Sequence, residues 1–177
     1  MSIWEENVRK VIPYTPGEQP DFSDMIKLNT NENPYPPSPL VKKALEEMKL
    51  DSMRLYPAPA ADALVEELAE AYHVKKEQVF VGVGSDDVLA MAFLTFFNSE
   101  KPILFPDITY SFYDVWADLF RIPYEQLPLN EDFAIAPEDY MKENGGIIFP
   151  NPNAPTGVEM PFEEVEKIIA YNPESVV

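Results

Sequence analysis

The chain has 177 residues, 13 basic and 31 acidic side chains, a formal net charge of −18 and no cysteine. That balance repels phosphate backbones and anionic membrane surfaces, which excludes nucleic acid as an expected partner. The lack of cysteine excludes a disulfide framework, a thiolate metal site and a thiol nucleophile.

A hydrophobic content of 46% with 12% aromatics is ample for a folded core. The longest apolar stretch, within residues 88–97, falls well short of the ~20 residues that span a bilayer. The first 20 residues carry Trp4, Glu5, Glu6, Arg9 and Lys10 without an apolar run, unlike a secretory signal. The cytoplasm is the expected compartment. Lys27-Leu28-Asn29-Thr30-Asn31-Glu32-Asn33-Pro34 is polar and turn-rich, so residues 1–37 are read as an arm outside the main sheet. Leu40, Val41, Ala44, Leu45 and Met48 then recur at helical spacing behind a Ser38 cap and Pro39 at the first helical position. Leu64, Val65, Leu68, Ala71 and Tyr72 mark a second helix. The run 79–83 reads as a buried strand ending on glycine. Next come a helix over 86–97, a strand over 103–105, a helix over 111–120 and an edge-like strand near 124–127. A short helix over 137–142, a strand over 147–149 and a helix over 162–169 complete the pattern, and 175–177 reads as the start of another strand.

Alternating helices and short apolar strands predict an α/β fold with a mainly parallel sheet and sites at the strand ends. Proline, 19 of 177 residues, is about double the usual ~5%. It clusters in 34–39, 57–59 and 150–155, between periodic segments. The chain stops inside an apolar run, which would leave an unpaired sheet edge, so a truncated product or part of a larger polypeptide is expected.

Two motifs directly follow expected strands. Gly82-Val83-Gly84-Ser85-Asp86-Asp87 joins strand to helix, where free backbone amides and the positive end of the helix dipole favour a phosphate. An ordinary glycine turn capped by Ser85 or Asp86 is the competing reading. Asp87 occupies the third glycine position of a dinucleotide fingerprint, so that motif is absent. The second motif is Phe149-Pro150-Asn151-Pro152-Asn153-Ala154-Pro155-Thr156-Gly157. Its prolines remove donors and fix φ, its asparagines offer amides, and Gly157 admits conformations closed to other residues. Tyr110, in Ile108-Thr109-Tyr110-Ser111-Phe112-Tyr113, sits where an aromatic can stack on a planar ring or pack in the core. Tyr56, in a proline-rigidified loop, can simply anchor that loop. Asn31, Glu32 and Asn33 fit a solvated turn. The single histidine, His73, ends a helix with no second ligand nearby in sequence, and no metal is expected. The paired glutamates at 46–47, 66–67 and 163–164 fit solvated helix faces.

Taken together, these motifs resemble the fold-type I pyridoxal-phosphate aminotransferases, over nearly the whole chain and closest to the histidinol-phosphate-specific branch. The resemblance implies that residues 38–177 are the first half of the cofactor-binding large domain, truncated, and that pyridoxal 5'-phosphate is the cofactor. It implies a phosphate cradle from Gly84, Ser85 and Asp86, ring stacking by Tyr110, and a tyrosine, Tyr56, that reaches the partner's cofactor phosphate across a homodimer interface. Asn31, Glu32 and Asn33 would border the substrate. The family's asparagine before Pro-Thr-Gly bonds the ring hydroxyl; here Ala154 stands in its place, and Asn153 is expected to reach in instead. The implied reaction converts histidinol phosphate, the amino donor, and 2-oxoglutarate, the 2-oxo acid, to imidazole acetol phosphate and glutamate in histidine biosynthesis.

This chemistry needs a lysine that holds the cofactor and moves protons, with an acidic partner for the pyridine nitrogen. The resemblance places both beyond the strand that follows Pro-Thr-Gly, so the 177-residue chain alone is expected to be inactive and contributes no catalytic residue. The same motifs occur in threonine-phosphate decarboxylase-like enzymes. A non-catalytic aminotransferase-like binding or dimerisation module is the alternative from another class.

Overall fold

The computed structural model describes residues 3–14, 17, 21, 22 and 24–177. The remainder of the expected arm lies outside the described residues. Two compact units divide the chain, one of residues 1–14 with 82–177 and the other of residues 15–81.

The larger unit is built around the parallel pair β1 (Ile103–Pro106) and β2 (Tyr124–Leu127), with Ile103 opposite Tyr124. Every residue of β1 is buried, as expected for a strand covered on both faces. Its side chains alternate between two cores. Ile103 and Phe105 join Phe93, Phe97, Tyr113, Ala117 and Ile122 on the face covered by α4 (Ser85–Phe96) and α5 (Tyr113–Phe120). Leu104 joins Leu127, Tyr140, Ile147, Met160 and Ile168 on the face covered by a 3₁₀ turn (Pro137–Tyr140) and α6 (Phe162–Tyr171). The result is a helix–sheet–helix sandwich, each buried Phe or Leu contributing about 1.5–3 kcal/mol of transfer free energy.

The sheet is extended by hydrogen bonds outside the two regular strands. Leu104 N donates to Gly146 O at 2.9 Å and Ile148 N to Leu104 O at 3.0 Å, forming a parallel bridge at Ile147. Ile147 N donates onward to Val176 O at 2.9 Å. The expected strands at 147–149 and 175–177 are thus single ladder contacts, in the order β2, β1, 147, 176. Behind them, Asn172 Nδ2 donates to the Tyr140 and Ile168 carbonyls at 3.1 and 2.8 Å, and its Oδ1 accepts from Asn144 Nδ2 at 2.7 Å. The carboxamide of Asn172, buried just after α6, is thereby matched.

Along α5, Phe112, Trp116 and Phe120 stack at helical spacing with centroids 5.8 and 5.7 Å apart, and Trp116 and Phe120 pack against the core around Phe93. Tyr14 stacks on Phe112 at 4.6 Å, tying residues after α1 (Ile3–Glu6) to this unit. The run 79–83 differs from expectation. It forms no strand and Phe80 is exposed, because no described segment offers it a ladder and an unpaired run gains nothing from extension.

The smaller unit contains α2 (Pro39–Glu47), a 3₁₀ turn (Leu50–Arg54), α3 (Asp62–Tyr72) and a 3₁₀ turn (Lys76–Gln78). Ser38 caps α2 as expected: its Oγ accepts from Leu40 N at 3.3 Å, and Pro39 starts the helix. Since α2 has no buried residue, its stability depends on local terms. Ser38→Ala should therefore cost about 0.5–1 kcal/mol and show as faster amide exchange confined to residues 39–47. Unchanged exchange there would remove the cap from the account.

Candidate functional site

The loops leaving β1 and the 147–149 segment converge with the start of α4 in the larger unit. Gly84 precedes α4 with φ +86° and ψ 169°, a backbone region essentially reserved for glycine. No side chain caps this helix end. The amides of Ser85, Asp86 and Asp87, which cannot bond within the helix, have no partner among the described residues. Gly84, Ser85 and Asp87 are exposed, and a Cβ on Gly84 would meet nothing within 4 Å, so the space beside Gly84 is open.

The two aspartates of the first turn turn away to other partners. Asp87 Oδ2 accepts from Val83 N at 3.1 Å, so this carboxylate folds back on its own loop. Asp86 Oδ1 accepts from the Tyr110 hydroxyl at 2.5 Å. Burial first, and then the Asp86 carboxylate, push the Tyr110 hydroxyl well above the usual phenol range, and it stays a protonated donor. Burial likewise pushes Tyr113 up to about 12. Around Tyr110, Phe112 stacks with centroids 5.7 Å apart and Tyr113 packs edge-on at 5.7 Å.

The 151–157 turn sits against the same loop. Asn153 is 2% exposed; its Nδ2 donates to Ile108 O at 2.9 Å and its Oδ1 accepts from Thr109 Oγ1 at 2.9 Å. Asn153 N donates to Val158 O at 2.9 Å, and Gly157 N, at φ +73°, donates to Asn153 O at 2.6 Å. Asn151 closes the turn from below, exchanging two hydrogen bonds with the Met160 backbone at 2.8 and 3.0 Å.

Gly84, Ser85, Asp86, Tyr110 and Asn153 are thus in one unit and joined by direct or one-residue links. The structure supplies what sequence reasoning missed: the Tyr110–Asp86 bond and the Thr109–Asn153 bond, neither of which leaves a local signal. The remaining candidates belong to the smaller unit. Tyr56 is fully exposed. Asn31 has φ +52°, Glu32 pairs with Lys27, whose hydrogen bond and charge hold its carboxyl below the usual range, and Asn33 Oδ1 accepts from Tyr35 N at 3.0 Å.

The profile of the family "Aminotransferase class I and II" matches residues 23–176. The chain is 53% identical over 174 residues to a histidinol-phosphate aminotransferase of Lactococcus lactis subsp. cremoris, covering 98% of this chain and 49% of that protein. It is 55% identical to histidinol-phosphate aminotransferase 1 of Hydrogenovibrio crunogenus, with the same two coverages. It spans about half the length of the curated relatives it matches. Among solved structures, one from Erwinia carotovora atroseptica superposes with a TM-score of 0.74 at 23% identity, over 84% of this chain and 44% of that one. An aminotransferase from Helicobacter pylori superposes with a TM-score of 0.63 at 18% identity, over 81% and 41%.

Proposed function

This chain belongs to the class I and II aminotransferases, and on that premise we propose that the whole protein transfers the amino group of histidinol phosphate to 2-oxoglutarate with pyridoxal 5'-phosphate as cofactor. The observation that carries the reading is identity above one half, along 98% of the chain, to two relatives named histidinol-phosphate aminotransferase. The start of α4 supports the reading. Unpartnered amides at the start of a 12-residue helix, uncapped by any side chain and open at Gly84, form a natural phosphate seat.

When bound, pyridoxal phosphate supplies the electron sink that lets the substrate Cα–H bond break. The chain's own residues do the holding. The amides of Ser85 and Asp86, with Gly84 shaping their approach, take the phosphate. Asp86 contributes through its backbone, since its carboxylate is engaged by Tyr110. Tyr110 orients the pyridine ring by stacking, which is worth about 0.5–1.5 kcal/mol beyond buried area. In the proposed homodimer, Tyr56 reaches the partner's cofactor phosphate, and its full exposure in this chain leaves it free to do so. Asn31, Glu32 and Asn33 border the substrate. The lysine that binds the cofactor and moves the proton at Cα comes from the part of the protein that the relatives have and this chain does not span. The protein works in the cytoplasm, supplying histidine biosynthesis. No described helix is long and apolar enough to cross a membrane.

The test is borohydride reduction of the natively purified whole protein with pyridoxal phosphate, followed by intact mass, peptide mapping and a glutamate-release assay. A single adduct on a lysine beyond Val177, together with histidinol-phosphate-dependent glutamate formation, is expected. Carbon dioxide release without glutamate would transfer the protein to the decarboxylases, and absence of a site-specific adduct would make it a non-catalytic module.

A further inference from the structure

The carboxamide of Asn153 is spent in two directions on one neighbouring loop. Its Nδ2 donates to the Ile108 carbonyl and its Oδ1 accepts from the Thr109 hydroxyl, both at 2.9 Å, in a residue 2% exposed. Its backbone is also held, at both N and O, by Val158 and Gly157. A buried amide whose donor and acceptor ends are both matched inside the protein is a fixed strut. The next residue after Thr109 is Tyr110, whose hydroxyl is anchored on the first turn of α4 by Asp86. The 108–110 segment is therefore gripped at one end by the 151–157 turn and at the other by the helix that carries the free amides.

We propose that Asn153 is a positioning residue: by clamping Ile108 and Thr109 it fixes where Tyr110 presents its ring to the cofactor, and Thr109 is its partner in that clamp. This rests on the reading that pyridoxal phosphate binds at α4. The choice of side chain follows from chemistry. The site needs one donor and one acceptor on a short, uncharged stem, which asparagine supplies. Aspartate keeps the shape and the acceptor but turns a carboxylate oxygen toward the Ile108 carbonyl. At Thr109, serine retains the hydroxyl and valine removes it.

The variants Asn153→Asp, Thr109→Val and Thr109→Ser are made in the whole protein, alone and with Tyr110→Ala. Hydrogen exchange of the cofactor-free protein is read first. Asn153→Asp and Thr109→Val should speed exchange over residues 107–113, and Thr109→Ser should not. Equal exchange in all would overturn the clamp whether or not pyridoxal phosphate binds. Pyridoxal phosphate affinity and the visible circular dichroism of the bound cofactor are read second. Asn153→Asp should weaken affinity by about tenfold and alter the band, whereas in the Tyr110→Ala background it should add less than about twofold. A full tenfold loss in both backgrounds would make Asn153 a direct cofactor ligand and overturn the positioning role. A wild-type protein with a tight 107–113 segment and no affinity for pyridoxal phosphate would refute the function while leaving the clamp as structure alone.

Discussion

Gly146→Ala is expected to lower the unfolding free energy by about 2–6 kcal/mol, the sum of backbone strain and overpacking. Gly146 has φ +141°, where a side chain is strained whatever the space. The space is also taken, since a Cβ there would lie 2.3 Å from Phe97 Cδ1 and 2.6 Å from Cε1. The Phe97 ring is 3% exposed and edge-on to Phe93 at 5.3 Å, so withdrawing it would cost packing against Phe93. The position matters to the site because Gly146 O accepts from Leu104 N at 2.9 Å, the first bond that sets the 146–148 segment alongside β1. That segment leads into the 151–157 turn, so an error at Gly146 displaces Asn153. Urea denaturation of the whole protein followed by near-ultraviolet dichroism would measure the loss. A change below about 1 kcal/mol, the ordinary cost of a point substitution, would show that Phe97 yields and that the close approach is not structural.

Most of the larger unit was legible from local pattern. The helices over 86–97 and 111–120 and the strands at 103–105 and 124–127 appear within two residues of their expected limits, because the helices are runs of apolar side chains with clear boundaries and β1 is a continuous apolar run. The segment 137–142 forms a 3₁₀ turn over Pro137–Tyr140, too short for the repeating bonds of an α-helix. The 79–83 run could not be read correctly from local composition, since Val79, Phe80 and Val81 suit a strand only where a neighbour completes the ladder. At the site, the glycine turn and the Pro-rich turn were visible as loops that follow apolar runs. What joins them was not. Asn153 and Thr109 are 44 residues apart and Tyr110 and Asp86 are 24 apart, and no periodicity links side chains across such distances. Asn153 was picked out for its amide, but the atoms that amide satisfies are visible only once the chain is folded.

Ser85→Pro separates the helix end's structural role from its proposed anion-binding role. Ser85 is the first residue of α4, the position where proline is favoured because its φ is pre-set and its missing N–H has no helical partner to lose. The preceding Gly84, at ψ 169°, already has the extended ψ that a following proline demands. The fold should therefore tolerate the change, with stability altered by less than about 0.5 kcal/mol. The phosphate seat should not. Removing one N–H from a charge-assisted set costs about 1.5–3 kcal/mol, which corresponds to roughly 10- to 150-fold weaker pyridoxal phosphate binding. The comparison with pyridoxal, which lacks the phosphate, assigns the loss: its weaker binding should be unchanged by Ser85→Pro if the amide serves the phosphate. Calorimetric titration of wild type and variant with both ligands, alongside their apo-protein melting temperatures, would give these quantities. Equal losses for both ligands, or none for pyridoxal phosphate, would move the phosphate away from the start of α4 and leave Gly84 as a turn residue only.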